Sequence, residues 1–271
     1  ITAFAFIVAF FSIIYIQSTM VFSNIIHKVV SNLENDLKAY FSPVSTSMVI
    51  LSRFAEIDKV KNLDVKAVHK ILVPTFRDFN QITAARFGDS KGNGFLLFPR
   101  NGNWITQVMP SVDTPQAAQE IVWDEDLNVI SRKSLAKQLK FENSKWYREA
   151  IQSPPGQKVW TDPYLSEIDG QLIITVSTSI NKPNGGKGVL AFDVSLKSMP
   201  GIARNRSWRT GGVTFIMTED RKLIGLTGNK DLTSGIPVDL EIISLSDIDL
   251  PILQDAIRFW EKPRKWRDRP K

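Results

Sequence analysis

The pattern of apolar and polar positions divides the chain into a helical N-terminal part and a strand-rich remainder. Residues 1–27 contain no Asp, Glu, Lys or Arg, and the mostly apolar run over residues 1–22 would span about 33 Å as a helix, which is enough to cross a membrane. Apolar residues then recur at three- and four-residue spacing over residues 23–57, which predicts a long stalk helix. We expect Pro43 to kink or interrupt it. A second helix is predicted near residues 64–79.

The apolar stripe of the stalk helix, which includes Val30, Leu33, Leu37 and Phe41, allows two interpretations. The stripe covers the core of its own domain, or it packs on a second copy of the chain and forms a homodimer. Both are compatible with the spacing, and different turns of the helix can serve different roles. We expect the chain to form a homodimer through this helix.

The middle of the chain changes to short apolar runs separated by Gly, Asn and Asp, which indicates antiparallel hairpins. A short helix is predicted at residues 146–152. The predicted fold class is therefore α+β, with a mostly antiparallel sheet. The predicted strands are residues 82–87, 94–99, 104–109, 120–124, 127–131, 172–180 and 187–194.

Composition and charge exclude several classes of function. The net charge is +6, but six of the last ten residues are Lys or Arg and one is Asp, so the rest of the chain is nearly neutral. Proteins that bind nucleic acids spread basic charge over a folded face, so we expect no nucleic-acid partner. The chain has no cysteine and only two histidines, His27 and His69. We therefore predict no metal site, no cofactor and no catalytic residue.

An enzyme is the less favoured alternative. The acidic run Asp124, Glu125 and Asp126 could in principle act in acid–base catalysis. No histidine or serine–histidine pair accompanies it in the sequence, and the run lies between two predicted strands.

Four sequence elements together resemble the double Cache family of extracytoplasmic sensor domains. They are Trp146-Tyr147, the element at 159–164 (VWTDPY), the alternating strand at 173–177 (IITVS) and the strand at 188–196 (GVLAFDVSL). Residues 88–98 and Trp104 also resemble the variant found on membrane nucleotide cyclases. The resemblance implies a long N-terminal helix followed by two PAS-like subdomains, and it implies that small molecules bind in the membrane-distal one.

In amino-acid-binding members of the family, an Arg two residues before the Trp holds the ligand carboxylate, and an Asp on the last strand accepts from the ammonium group. The resemblance assigns the ligand-binding residues Trp146, Tyr147, Tyr164 and Asp193. Ser144 stands where the Arg is expected. A serine hydroxyl does not replace a guanidinium, so we expect the ligand to be an amine-bearing compound or another small metabolite.

Other residues bear on this assignment. Leu139 stands where the family pattern has an upstream Tyr, and Lys140, Lys145 or Arg148 could supply the missing cation. Each assigned side chain also has a structural alternative. Trp146 can be a core residue, the Tyr164 hydroxyl can pin its loop, and a buried Asp193 must be paired or bound.

The resulting organisation has four parts: a transmembrane helix (1–22), a stalk helix (23–57), a membrane-distal Cache subdomain (58–198) and an incomplete membrane-proximal subdomain (199–271). We expect an inner-membrane protein with the residues after about 23 in the periplasm or outside the cell. A second membrane helix and a cytoplasmic output module would follow Lys271. The predicted function is small-molecule sensing; the alternative is a ligand-free structural or adhesive ectodomain.

Overall fold

The computed structural model describes residues 6–10, 19–56, 65–111, 117–136, 140–182, 186–199, 201–202, 213–218, 222–227 and 243–244. The chain divides into two compact units. The first is built from Lys38–Leu196, and the second from Ala3–Leu37 and Lys197–Lys271. All of the assigned site residues lie in the first unit.

The fold is α+β, as predicted. Its helices are α1 (Thr19–Glu56), α2 (Val65–Asp78) and α3 (Lys145–Gln152), with a 3-10 turn at Phe141–Asn143. Its strands are β1 (Phe6–Phe10), β2 (Ile82–Asp89), β3 (Gly94–Arg100), β4 (Asn103–Met109), β5 (Gln119–Trp123), β6 (Val129–Ser134), β7 (Val159–Trp160), β8 (Tyr164–Leu165), β9 (Leu172–Asn181), β10 (Lys187–Ser195), β11 (Val213–Met217), β12 (Lys222–Thr227) and β13 (Ile243–Ser244).

Helix α1 runs through Pro43 without ending, so the interruption predicted there is wrong. A proline inside a helix loses one backbone hydrogen bond. The following turns bury apolar side chains: Val44 and Met48 have no exposed surface, and this packing offsets the loss. Leu33 and Leu37, in the part of α1 that belongs to the second unit, are also buried within the chain.

The apolar start of the chain is not one continuous helix. Residues 6–10 form strand β1 and α1 begins at Thr19, while residues 1–5 and 11–18 lie outside the described residues. Phe, Ile and Val are strong strand formers, and β1 pairs antiparallel with β11. The helical conformation predicted for residues 6–10 is therefore wrong. Among the described residues, no helix is both long and apolar enough to span a membrane.

The first unit contains a nine-stranded antiparallel sheet in the order β6-β5-β4-β3-β2-β10-β9-β7, with β8 also paired to β9. The residues of its tight turns have backbone conformations that favour hairpins. Asn101 and Gly102 join β3 to β4 with φ angles of 52° and 77°. A two-residue loop with both φ angles positive is the tight turn that matches the twist of paired strands.

The strand register assigns side chains to the two faces of the sheet. Directly opposed residues in paired strands share a face, so Asp193, Thr175 and Ala84 lie on one face, which we call the site face. The opposite face is covered by α1 and α2, with aromatic contacts between Phe76 and Trp104 and between Phe41 and Trp160. An apolar cluster containing α3 covers the site face: Ala84, Leu96, Phe98, Ile105, Met109, Ala118, Phe141, Trp146, Tyr147, Ala150, Val189 and Ala191.

The second unit contains a four-stranded sheet in the order β1-β11-β12-β13. Strands β11 and β12 pair with each other in antiparallel orientation. Apolar residues at helical spacing also predict a helix at residues 250–260, which lies outside the described residues.

Candidate functional site

Asp193 is the centre of a buried polar cluster on the site face. It lies on β10, flanked by β9 and β2, and its side chain has no exposed surface. A β-bulge interrupts the pairing of β10 with β2 between Asp193 and Val194. Bulges of this kind change the direction in which a side chain points and occur often beside binding sites.

The positive partner of Asp193 is Arg86 on β2. The Arg86 Nε donates to Asp193 Oδ2 at 2.8 Å, and the two side chains are 4% and 0% exposed. Burial opposes the charge of the guanidinium, but the attraction of Asp193 outweighs it and raises the pKa of Arg86. The pair is therefore a buried, charge-assisted hydrogen bond.

Two hydroxyl groups occupy the other oxygen of Asp193. Thr175 Oγ1 donates to Oδ1 at 2.7 Å, and the Tyr164 hydroxyl donates to the same oxygen at 3.4 Å. The Tyr164 and Thr175 hydroxyls also lie 2.5 Å from each other. Burial, followed by the negative charge of Asp193, raises the pKa of Tyr164, so Tyr164 stays neutral and acts as a donor. Both oxygens of Asp193 are thus engaged within the chain.

Polar side chains of β9 hold the surrounding loops against the site face. The main-chain nitrogen of Thr175 donates to Thr161 Oγ1 at 3.0 Å, and the Thr161 nitrogen donates back to the Thr175 carbonyl at 3.0 Å. Ser177 Oγ donates to the carbonyl of Trp146 at 3.0 Å, and Ser179 Oγ donates to the carbonyl of Ser153 at 2.9 Å. The main chain of Thr175 therefore fixes the element before Tyr164, and the hydroxyls of Ser177 and Ser179 fix the two ends of α3.

Helix α3 places Trp146 and Tyr147 over the site face. They are 2% and 6% exposed, and their rings meet edge to face at a centroid distance of 5.8 Å. The preceding Phe141 lies directly on two glycines of the sheet: a Cβ at Gly94 would overlap its ring, and a Cβ at Gly88 would lie 3.1 Å from its Cβ. These glycines are what allow α3 to approach the sheet closely.

The structure brings together some of the residues that the sequence assigns to the site. Tyr164 contacts Asp193 directly, whereas Trp146 and Tyr147 share the site face with it. The negative charges that act on the Tyr147 phenol, after burial, are those of Asp89 and Glu142, and together they raise its pKa. Asp193 is not among the charges that act on Tyr147.

Arg86 is the functional candidate that the sequence interpretation missed. We expected a cation from Lys140, Lys145 or Arg148, but Lys145 pairs with Glu149 and Asp162 near the surface. The signal for Arg86 was present: it is the single charged residue within the apolar run at 82–87 (ITAARF). A charge on a buried strand requires a buried partner. Asp193 is the single charged residue of another apolar run, at 188–194.

Other sequence candidates have structural roles. Asp124 Oδ1 accepts from the main-chain nitrogens of Asp126 and Asn128 at 3.0 and 2.8 Å, so the acidic run forms a turn. These hydrogen bonds lower the pKa of Asp124. His69 on α2 is fully buried and contacts the Thr106 hydroxyl on the opposite face of the sheet. Within the described residues, no group of three or more His, Asp or Glu side chains could hold a metal ion.

Comparison with known proteins connects this sheet with bacterial chemoreceptors. Residues 99–201 match the family model "Methyl-accepting chemotaxis protein-like, first PDC sensor domain". The methyl-accepting chemotaxis protein TlpA of Bacillus subtilis is 24% identical over 214 residues, which are 79% of this chain and 25% of the relative. TlpB of the same organism is 30% identical over 98 residues, which are 34% of this chain and 14% of the relative. The chain thus spans about a quarter or less of the length of these curated relatives.

Solved structures show the same fold. The ligand-binding domain of the Campylobacter jejuni chemoreceptor Tlp3, in complex with 4-methylisoleucine, superposes with a TM-score of 0.53 at 17% identity and covers 82% of this chain and 76% of that one. The ligand-binding domain of the Pseudomonas fluorescens chemoreceptor CtaA with L-alanine gives 0.50 at 18% identity, with 85% and 80% covered. These likenesses confirm the Cache-type, PAS-like fold that the sequence predicts. The matched relatives are named as chemoreceptors, not as nucleotide cyclases.

Proposed function

We propose that this chain is the extracytoplasmic small-molecule sensing part of a transmembrane chemoreceptor, with its ligand bound on the site face of the first unit. The observation that carries the proposal is the buried Arg86–Asp193 pair beneath α3. Burying two charges in a sheet costs more than burying apolar residues of similar volume, so a role in binding accounts for their presence better than a role in stability.

The fold and the family match support this proposal. Residues 99–201 match a sensor-domain family, and this range contains Trp146, Tyr147, Tyr164 and Asp193. Strong perturbation of ionisable groups is common at binding sites, and the groups with a shifted pKa include Arg86 and Tyr164 at this site. We retain all four assigned residues as ligand-site candidates and add Arg86.

The membrane arrangement is part of the proposal. The apolar residues 1–22 would anchor the chain in the inner membrane as a helix, in place of the β1–β11 pairing, and the residues after about 23 would lie outside the cytoplasm. The signal would pass to a cytoplasmic module of the methyl-accepting type, as in the relatives, rather than to a cyclase. A reporter fusion at Ser198 tests the orientation: an alkaline phosphatase fusion should be active, and activity only of a cytoplasmic reporter would contradict it.

The proposed receptor is a homodimer formed through α1, but not through the stripe that the sequence suggests. Leu33 and Leu37 are only 0% and 8% exposed within the chain. The contact would therefore use the outer face of α1, where Asn35, Ser42 and Thr46 are exposed.

A ligand-free structural domain is the second candidate, favoured by one observation. Trp146 and Tyr147 are almost fully covered by the apolar cluster of the site face, as core residues would be. A folded domain of this kind would be stable without any small molecule, and no small molecule would raise its melting temperature.

A thermal-shift screen of the full chain in nanodiscs separates the two candidates. Ligand binding to the folded state stabilises it by about 2.7 kcal/mol at 100 times Kd, so a binding compound raises the melting temperature. We expect at least one compound among organic acids, amino acids and amines to do so. Asp169→Asn, on an exposed turn, is the matched control and should respond as the unaltered chain does. A library without any stabilising compound would favour the structural domain.

A further inference from the structure

Buried polar atoms without partners are rare in folded proteins, and each of them requires an explanation. Two such atoms lie on the site side of the sheet. Arg86 Nη2 and Trp146 Nε1 are buried and have no hydrogen-bond partner. Both are donors, so a group that completes this site must bring acceptors. Trp160 Nε1 is also without a partner, but Trp160 packs on Phe41 at the opposite face.

Asp193 has little remaining capacity for a ligand ammonium group. Its Oδ2 accepts from Arg86, and its Oδ1 accepts from Thr175 and Tyr164. The family resemblance implies that Asp193 accepts from the ammonium group of the ligand. Here donors of the chain itself already occupy its two oxygens. Here Asp193 orients the Arg86 guanidinium by holding its Nε, which leaves the Nη2 edge of the planar fork free.

The strand register brings the main chain of Arg86 and the first turn of α3, which carries Trp146, into the same part of the site face. Arg86 is opposite Ala191 on β10, and Ala191 is opposite Ser177 on β9. Ser177 in turn donates to the carbonyl of Trp146. Arg86 and the first turn of α3 are therefore separated by two strand spacings, about 10 Å, a gap that an Arg and a Trp side chain can bridge through one small ligand.

We infer that the site selects a small carboxylate that needs no amino group, with the ligand oxygens accepting from Arg86 Nη2 and Trp146 Nε1. Arg86 Nη2 carries two N–H groups on a cation, and a carboxylate oxygen is the acceptor that forms a strong, charge-assisted hydrogen bond with such a donor. The hydroxyls of Thr175 and Tyr164 spread the negative charge of Asp193 and so reduce its repulsion of the ligand. Asp193 is then a positioning residue. This inference rests on the proposed function and specifies the ligand class of the same site.

Calorimetric titration of the full chain in nanodiscs tests the inference with three sets of probes: acetate, propanoate, pyruvate and L-lactate; L-alanine, L-serine and L-valine; and ethylamine and propylamine. We expect at least one amine-free carboxylate to bind more tightly than the amino acid of similar size, and the amines not to bind. Trp146→Phe keeps the ring and removes one donor, and should weaken carboxylate binding by about 3- to 10-fold. Arg86→Lys keeps the charge and loses the fork, and should weaken it by at least about 10-fold.

Each other outcome is decisive. If only amino acids bind, the inference is overturned and the proposed sensing function stands. If carboxylates bind and Trp146→Phe has the affinity of the unaltered chain, Trp146 is not a ligand contact and the inference fails. If Arg86→Lys does not fold, Trp146→Phe and the ranking of the three probe sets still decide. If no probe of any set and no compound of the thermal-shift library binds, the proposed function itself fails.

Discussion

The guanidinium of Arg86 and the carboxylate of Asp193 lie 2.8 Å apart, on adjacent strands, with almost no exposed surface on either side chain. Their Cα atoms are not directly opposed, because Arg86 faces Ala191 and Asp193 faces Ala84. The contact is a diagonal one across the β2–β10 pair. It ties the two central strands together at the point where the pairing is interrupted by the bulge.

Removing one partner of this pair should be far more costly than removing an exposed one. Asp193→Ala leaves a buried guanidinium without its counter-charge, and we expect a loss of about 3–5 kcal/mol in the free energy of unfolding. Lys145→Met is the matched control, because Lys145 and Asp162 are both half-exposed and such pairs contribute about 0–1 kcal/mol. Urea unfolding measures both. A loss below about 1 kcal/mol for Asp193→Ala would contradict the structure.

The close approach of Phe141 to β3 makes Gly94 sensitive to a single methyl group. Gly94→Ala would place its Cβ against the Phe141 ring and the Phe87 carbonyl, and overpacking of this kind costs about 1–3 kcal/mol. Gly201→Ala is the control, because a Cβ there meets nothing within 4 Å. Differential scanning calorimetry should show a lower melting temperature for Gly94→Ala alone, and equal melting temperatures would refute the packing of Phe141 on the sheet.

Burial of His69 predicts a loss of stability in mild acid. Burial lowers its pKa from 6.5 to about 4, so the unfolded chain binds a proton that the folded chain excludes. Its contribution is therefore complete above about pH 6.5 and is lost as the pH falls toward about 4, by roughly 1.4 kcal/mol per pH unit within that window. Urea titrations between pH 7 and 4.5 should give a shallower pH dependence for His69→Gln. Parallel curves for the two proteins would show that His69 is not buried in its neutral form.

The packing of α1 can be measured because the chain has no cysteine of its own. Leu37→Cys should react slowly with a maleimide in the folded chain, because position 37 is 8% exposed, and Ser42→Cys should react as fast as in urea. The same variants address the homodimer: oxidative crosslinking is expected through Ser42→Cys and not through Leu37→Cys. Equal labelling rates at the two positions would contradict the burial of the stripe.

Local patterns predicted the three helices and the longer strands of the first unit, because strand alternation, turn residues and helical spacing are properties of neighbouring positions. The strand that contains Asp193 and the short helix α3 were both predicted in this way. Arg86 was missed because its importance depends on the pairing of β2 with β10, more than 100 residues apart in the chain. No rule of sequence spacing connects two such positions. What connects them is that each buried charge requires a partner of opposite charge.

The error at residues 6–10 has a different cause. A run of Phe, Ile, Val and Ala satisfies both a membrane helix and a buried strand, and composition alone does not distinguish them. Pairing with β11 selects the strand in this structure. A membrane span within residues 1–22 stays a prediction, which the reporter fusion at Ser198 addresses.

A crystal structure of the chain with the tightest-binding compound of the thermal-shift library tests the central claim most directly. We predict electron density for the compound on the site face, between the sheet and α3, within hydrogen-bonding distance of Arg86 Nη2. Density at a different surface of the first unit, or in the second unit, with Arg86 Nη2 still unpaired, would contradict it.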